Sequence, residues 1–310
     1  MKITVVTNCT ARKAKTPVRK MCAHSLPKGS LSAVSKEWRQ RLVAAEEKVP
    51  AGSLYQGRAF QESMRAARLA ETPLYIVSAG LGLITDNTLI PPYSLTISEG
   101  DTDSIRDRVE DENLRPATWW RAVSSASTQS QDLAKVIRRS PQSLFVLALS
   151  PGYLELVMED VLALTPAELS RVRLTGPRRE TDLPEALRAI HLPYDDRLDG
   201  KGSPIRGTES DFPQRAALHF VQLALGKRAH LSPREHKQLV LGALQHWPRK
   251  KIPNRKRLTE AALRRAIGGV LRECNGQWSK ALRLLRDRRR IACEQKRFRK
   301  ICADILGARA

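Results

Sequence analysis

The chain has 310 residues and carries 54 Lys and Arg against 32 Asp and Glu, a formal net charge of +22. At 41% hydrophobic it can bury a core, which excludes wholesale disorder, and no run of about 18 apolar residues is present to span a bilayer. Its five cysteines, Cys9, Cys22, Cys274, Cys293 and Cys302, are scattered and form no CxxC pair, which excludes a disulfide framework and a cysteine-rich zinc site.

The opening Met1-Lys2-Ile3-Thr4-Val5-Val6 runs straight into strand-like sequence, without the apolar region and cleavage site of a signal peptide. A cytoplasmic protein is therefore expected.

Along residues 1–226, strand-like and helix-like stretches alternate. Lys2–Thr7, residues 74–78 and Ser143–Leu149 are short β-branched or apolar runs of the kind that are buried on both faces of a sheet. Arg171–Leu174 and Ala189–Leu192 predict a fourth and a fifth strand. Helices are predicted at Ser32–Glu47, Gly57–Ala70, Ala117–Arg138, Tyr153–Leu164 and Phe212–Leu225. The alternation predicts an α/β fold, a layered and mainly parallel sheet flanked by helices.

From residue 227 the chain reads as a basic all-helical domain. Residues 227–310 hold 24 Lys and Arg against 6 Asp and Glu, a net +18, while residues 1–226 hold 30 against 26. Ser232-Pro233-Arg234-Glu235 is a capping box with proline at the first helical position. Thr259 opens a second helix that Asn275-Gly276 closes, and Trp278 to Leu306 keeps an apolar seam under a basic surface. Such a charge density predicts binding to a polyanion, nucleic acid foremost, through displacement of condensed counterions.

Ligands of parallel sheets bind beyond the carboxyl ends of the strands. After the first strand come Asn8, Cys9, Thr10, Arg12 and Lys13. There Asn8 can reach a base edge and Arg12 and Lys13 a phosphate; a plain turn is the alternative. After the second strand comes Ser78-Ala79-Gly80-Leu81-Gly82, followed by Asp86 and Tyr93. The glycines permit close approach of a ligand to backbone. Ser150-Pro151-Gly152-Tyr153 opens a helix whose first amides can hold an anion. Asp195 and Asp196 are adjacent and would point to opposite faces of a strand. None of the six histidines forms a HExxH pattern, and neither metal nor cofactor is expected.

Tyr55-Gln56-Gly57-Arg58-Ala59-Phe60, the stretch Leu74 to Leu83, and Pro92-Tyr93-Ser94-Leu95 together are similar to signature blocks of the bacterial peroxide-stress DNA-binding family, with Leu81 where that family has Tyr and Ser94 where it has Arg. Taken with the Thr7-Asn8-Cys9-Thr10 start and the basic helical end, the chain also resembles the uracil-DNA-glycosylase-like set, in particular phage-defence glycosylases that excise glucosylated hydroxymethylcytosine. Asn275-Gly276-Gln277-Trp278 and the residues up to Leu285 are similar to the start of a helix-turn-helix of the small nucleoid-protein type, with Arg286 where glycine is usual. One long basic helix is the alternative there.

The resemblance implies a hydrolytic, monofunctional DNA glycosylase that leaves an abasic site in double-stranded phage DNA with modified bases, with no membrane and no obligate protein partner. The alternatives are a non-catalytic DNA-binding stress protein and an enzyme on free nucleotides. Cleaving an N-glycosidic bond develops positive charge on the sugar, which a carboxylate stabilises. Asp86 is the expected carboxylate and Asn8 its catalytic companion, with a turn or cap role as the alternative for Asp86. Cys9, Ser78, Gly80, Gly82, Tyr93, Ser150 and Tyr153 form the expected substrate-binding set. Arg12, Lys13, Lys250, Lys251, Arg255, Lys256, Arg257, Lys280, Arg283, Arg286, Arg289 and Arg290 form the expected DNA-binding set.

Overall fold

A computed structural model describes residues 1–310 except residue 112 and residues 127–129, 250–253 and 308–310. It divides into two compact units, Met1–Arg249 and Lys250–Ala310. Lys250 and Lys251 lie outside the described residues.

The first unit is an α/β layer structure. Its strands are β1 (Lys2–Asn8), β2 (Val49–Pro50), β3 (Tyr75–Ser78), β4 (Gly82–Thr85), β5 (Leu89–Ile90), β6 (Ser143–Ala148) and β7 (Val172–Leu174). Five of them form one sheet in the order β4-β3-β1-β6-β7, while β2 and β5 pair separately. The neighbours β3–β1, β1–β6 and β6–β7 are parallel. Strand β1 lies at the centre with five consecutive buried residues, as its unbroken apolar run requires. Helices Arg58–Leu69 and Phe212–Ala224 pack on each other and on β1, and Leu31–Ala44, Pro116–Ala126, Leu133–Arg139 and Pro151–Leu162 form a second helical group.

The structure corrects the sequence reading at several places. Gly82–Thr85 is a strand, antiparallel to β3, where a glycine-rich loop is expected. Gly82 has φ +76°, a backbone conformation glycine adopts without a Cβ penalty, and this reverses the chain into a tight hairpin. Ala189–Leu192 is not a strand: only His191 bridges to Leu174, directly after the helical turn Glu185–Arg188. The single helix expected over Ala117–Arg138 is two, the second capped by Asp132, whose side chain accepts from the Lys135 N–H.

The boundary also moves from 226/227 to 249/250. The capping box at Ser232 forms as expected. The helix it starts, Pro233–Leu244, buries Val240 and Leu244 in the core of the α/β unit, and Trp247 packs against that core. Charge marks a change in composition here, but apolar burial decides where a folding unit ends.

The second unit has its own core of Leu263, Ile267, Val270, Leu271, Ala281, Leu285, Phe298 and Ile301. Helix Glu260–Glu273 is capped by Thr259 and ends at Asn275 and Gly276, both at positive φ. The stretch after Trp278 is not one long helix. It runs to Arg288, turns with Arg290 at φ +54°, and resumes as Gln295–Gly307.

Candidate active site

The parallel strands bring the residues that follow β1, β3 and β6 to one rim. Val77 faces Asn8 across β3 and β1, and Ala148 faces Thr7 across β6 and β1. Asn8, Cys9, Ser78, Ser150 and Tyr153 therefore gather at the carboxyl ends, as expected.

Asn8 is a staple as well as a candidate ligand group. Its Oδ1 accepts from the Ser150 N–H at 3.2 Å and from Gln214 Nε2 at 3.0 Å, and its Nδ2 donates to the Cys9 carbonyl at 3.0 Å. Two converging donors identify that amide atom as the oxygen, and one Nδ2–H is left over. The Ser150 N–H, the anion-holding group expected of that turn, is already taken. Beside Asn8, the buried Gln214 also donates to the Ala148 carbonyl, and its Oε1 has no partner among the described residues.

The glycine turn is filled from within. The Gly80 and Leu81 N–H groups both donate to Ser78 Oγ, at 3.3 and 3.1 Å. Trp119 Nε1 donates to the Ala79 carbonyl and Trp38 Nε1 to the Gly80 carbonyl, each at 2.7 Å. The turn is thus no open phosphate cradle. Its glycines serve packing: a Cβ on Gly80 would lie 2.7 Å from the Tyr93 ring, and one on Gly82 would lie 2.1 Å from Ser130 Oγ. The Tyr93 hydroxyl is bound to Ser78 Oγ and to the Tyr55 hydroxyl, both at 2.7 Å. Burial pushes the phenols of Tyr55 and Tyr93 above the ordinary tyrosine range. Tyr93 is wholly buried, so it is a wall of the site and not a stacking platform.

Asp86 does not join this rim. Thr85 pairs with Tyr75 at the start of β3, and Ser78 at its other end pairs with Gly82. Asp86 thus lies four residues up the hairpin from Gly82, about 13 Å along the strand direction. Its Oδ1 accepts from the Leu74 N–H at 3.1 Å, a turn-stabilising role. Asp195 is likewise spent on Arg197, at 2.9 Å, in a short helical turn.

Lys13 is the side chain whose placement differs most from expectation. It does not point outward to a phosphate. Its Nζ lies 4.4 Å from the Tyr93 ring centroid and 5.7 Å from that of Tyr55, and it donates to the Thr10 carbonyl at 3.2 Å. Burial lowers its pKa from the ordinary lysine value, against the opposing pull of the acidic groups Cys9, Asp103 and Cys22. Arg12, by contrast, is exposed as expected.

Lys13 is electrostatically coupled to Asp103 and Cys22, which the sequence reading did not single out, as well as to the expected Cys9. Asp103 Oδ1 accepts from the His24 backbone N–H at 3.0 Å and contacts His24 Nδ1 at 2.7 Å. Burial raises the Asp103 carboxyl, but hydrogen bonds from Ser94 and His24 outweigh that and hold it below its ordinary value. Cys9 Sγ is 3.1 Å from the Tyr153 hydroxyl. Cys22, His24 and Asp103 bring metal-capable atoms within 4.8 Å of one another. The His24–Asp103 hydrogen bonds account for that closeness, and no ion is assigned. The separation of Asp103 from Lys13 by 90 residues hides the cluster from any local pattern.

A second cavity, of about 770 Å³, is lined by Tyr75, Trp120, Ser124, Ser130, Lys135 and Asp160. Of its two carboxylates, Asp132 and Asp160, Asp160 accepts from Trp120 Nε1 at 2.9 Å. The rim is the stronger candidate, because it combines a desolvated amine, a carboxylate and the strand carboxyl ends.

In the second unit, Lys256, Arg257, Lys280, Arg283 and Arg290 are exposed. So are Arg299 and Lys300 of the last helix, which the sequence reading did not select. Three expected DNA-binding residues are engaged internally. Arg286 donates through Nε to the Cys293 carbonyl at 2.9 Å and fastens the turn. Arg255 donates to the Arg286 carbonyl and to Asp287, and Arg289 pairs with Glu273 at 3.1 Å.

Residues 42–156 match a family of unknown function, DUF6884. That segment contains Tyr55, Ser78, Tyr93, Asp103 and Tyr153 and stops short of the second unit. No curated protein and no solved structure matches the chain.

Proposed function

We propose that this chain is a DNA N-glycosylase acting in the cytoplasm on double-stranded DNA. The observation that carries the reading is the joining, in one chain, of an α/β unit with a polar, partly desolvated rim site to a separate helical unit in which several exposed cations, Lys280 and Arg283 among them, form no ion pair among the described residues. Free nucleotides need no extended cationic surface, whereas a duplex does. A target base inside a duplex is reachable only when flipped out. The second unit would bind the phosphate backbone and the rim would receive the base.

Within the rim, the free Nδ2–H of Asn8 is available to a base acceptor, and the half-buried Tyr153 ring is available for stacking. Asp103, held ionised by Ser94 and His24, takes over from Asp86 the role of the charge that opposes a developing oxocarbenium ion. The substrate proposed is a modified cytosine of phage DNA, glucosylated hydroxymethylcytosine first. That choice rests on the resemblance of the sequence to phage-defence glycosylases.

The test incubates the protein with unmodified and hypermodified phage DNA and measures released base and alkali-labile sites. Release from modified DNA alone supports the proposal. Binding to both DNAs with no release from either favours the non-catalytic DNA-binding alternative.

A further inference from the structure

We propose that Lys13 is the nucleophile of this site and forms a covalent imine with C1′ of the target deoxyribose. The inference rests on the glycosylase reading for its substrate, but its chemistry is testable separately, because an amine of this kind also condenses with the aldehyde of an abasic site.

The placement of Lys13 is the ground for it. A lysine that serves as a surface phosphate contact keeps its ammonium in water. Here the Nζ lies over the faces of Tyr93 and Tyr55, and its one hydrogen-bond acceptor among the described residues is the Thr10 carbonyl. The neighbouring carboxylate, Asp103, pairs with His24 at 2.7 Å instead of with Lys13. A cation taken out of water without a matched counter-ion favours its neutral form, and a neutral amine is the nucleophilic one. The direction of its titration agrees, since burial is the largest influence on it. The amine is not sealed off, because Lys13 remains partly exposed. Lys13 is electrostatically coupled both to Cys9, next to Asn8 at the β1 carboxyl end, and to Asp103, whose charge would stabilise a cationic sugar.

The step balances without a further reagent. The Nζ lone pair attacks C1′ as the glycosidic C1′–N bond breaks, and the base leaves with that electron pair. One Nζ proton goes to the departing base. The second goes to O4′ as the ring opens and the C1′=N double bond forms. Water later cleaves the imine, returning the amine and leaving the abasic aldehyde.

The experiment uses the full chain, a duplex oligonucleotide with one abasic site, and sodium borohydride, which reduces an imine to a stable amine. The adduct is then located by peptide mass spectrometry. The expected result is one dominant adduct on Lys13, lost in Lys13→Ala and in Lys13→Arg. Adducts spread over the lysines of residues 256–300, with none on Lys13, overturn the proposal without recourse to any variant. The same proteins are then assayed for base release from hypermodified phage DNA. Release that persists unchanged in Lys13→Arg overturns the nucleophile while leaving the glycosylase reading intact. Trapping at Lys13 with no release from any DNA supports the reactive amine and removes the glycosylase reading.

Discussion

The Nε–H of Arg173 donates to Nδ1 of His236 at 2.9 Å. Arg173 belongs to β7 and His236 to the Pro233–Leu244 helix, and both side chains are buried. Three of the four other guanidinium hydrogens go to the carbonyls of Ser170, Val172 and Leu231, and no carboxylate pairs with Arg173 among the described residues. The geometry requires a neutral imidazole with an acceptor at Nδ1, which leaves Nε2–H to donate to the Arg228 carbonyl at 2.9 Å. Burial, and after it the adjacent guanidinium, hold His236 down to about 4, while burial lowers Arg173 to about 10.

A pH-dependent stability follows from that pair. The unfolded chain protonates histidine near pH 6.5, but the folded chain protonates His236 only near 4. The contribution is complete above about pH 6.5, falls as the unfolded state takes up the proton, and levels off below about 4. His219, which contacts the Tyr194 hydroxyl at 2.8 Å, is also lowered by burial to about 4 and acts over the same window. Each is worth on the order of 3 kcal/mol over the full range. Urea unfolding at pH 7, 6 and 5 should show falling stability. His236→Leu should lower stability at pH 7 by about 2 kcal/mol, through the stranded Arg173 donor, and should flatten the remaining pH slope. An unaltered slope in that variant rules out the mechanism.

The same contact decides where the chain can be cut. Residues 1–249 contain the complete first core, including His236, Val240 and Leu244. A fragment ending at residue 249 should unfold cooperatively, as judged by tryptophan fluorescence and circular dichroism. A fragment ending at residue 226 exposes Arg173 and the apolar surface that Val240 and Leu244 cover, and should be aggregated or lack a cooperative transition. Equal stability of the two fragments would contradict the boundary at Arg249.

These particulars show what local pattern carries. Strands β1, β3 and β6 were legible because a strand buried on both faces is a largely apolar run, whereas β7 carries the buried Arg173 between Val172 and Leu174. The caps at Ser232 and Thr259 were legible because one oxygen satisfies one amide three residues on. Strand β4 was not, since a glycine at positive φ looks the same in a loop and in a tight hairpin. Asp86 was misplaced for that reason: once β4 turns back along β3, every residue after Gly82 moves away from the rim. Lys13 was misread because charge alone predicts exposure, while its burial comes from Tyr55 and Tyr93, more than 40 residues onward. Arg286 carries the charge of a DNA contact, but the turn it fastens to Cys293 is visible only in three dimensions.

Substitution separates Asp86 from Asn8. Asp86→Ala removes an acceptor for the Leu74 N–H and should cost about 1 kcal/mol of stability, with base release from modified DNA unchanged. Asn8→Ala strands the Ser150 N–H and one Gln214 hydrogen, should cost about 1–3 kcal/mol, and should also abolish release. Denaturant midpoints and release rates measured on the same preparations check both. Loss of release in Asp86→Ala, with stability intact, would return the catalytic role to that carboxylate.

The second unit offers a contrast between cations of equal charge. Lys280 and Arg283 are exposed on one short helix, three residues apart, and form no ion pair among the described residues. Arg286 follows three residues later, yet both its Nε and its NH2 nitrogen donate to the Cys293 carbonyl. A cation that neutralises a phosphate releases counterions and steepens the salt dependence of binding by about 0.9 in the logarithmic slope. The double variant Lys280→Ala, Arg283→Ala should therefore lower the slope by about 2 while leaving the thermal midpoint of the protein unchanged. Arg286→Ala should do the reverse: the freed Cys293 carbonyl loosens the turn before Gln295–Gly307 and lowers the midpoint, while the slope measured well below that temperature stays within error. Titrating a labelled duplex between about 50 and 200 mM salt resolves both effects. A slope that falls equally in all variants would mean that the net charge of the unit, and not the exposure of particular side chains, governs its grip on DNA.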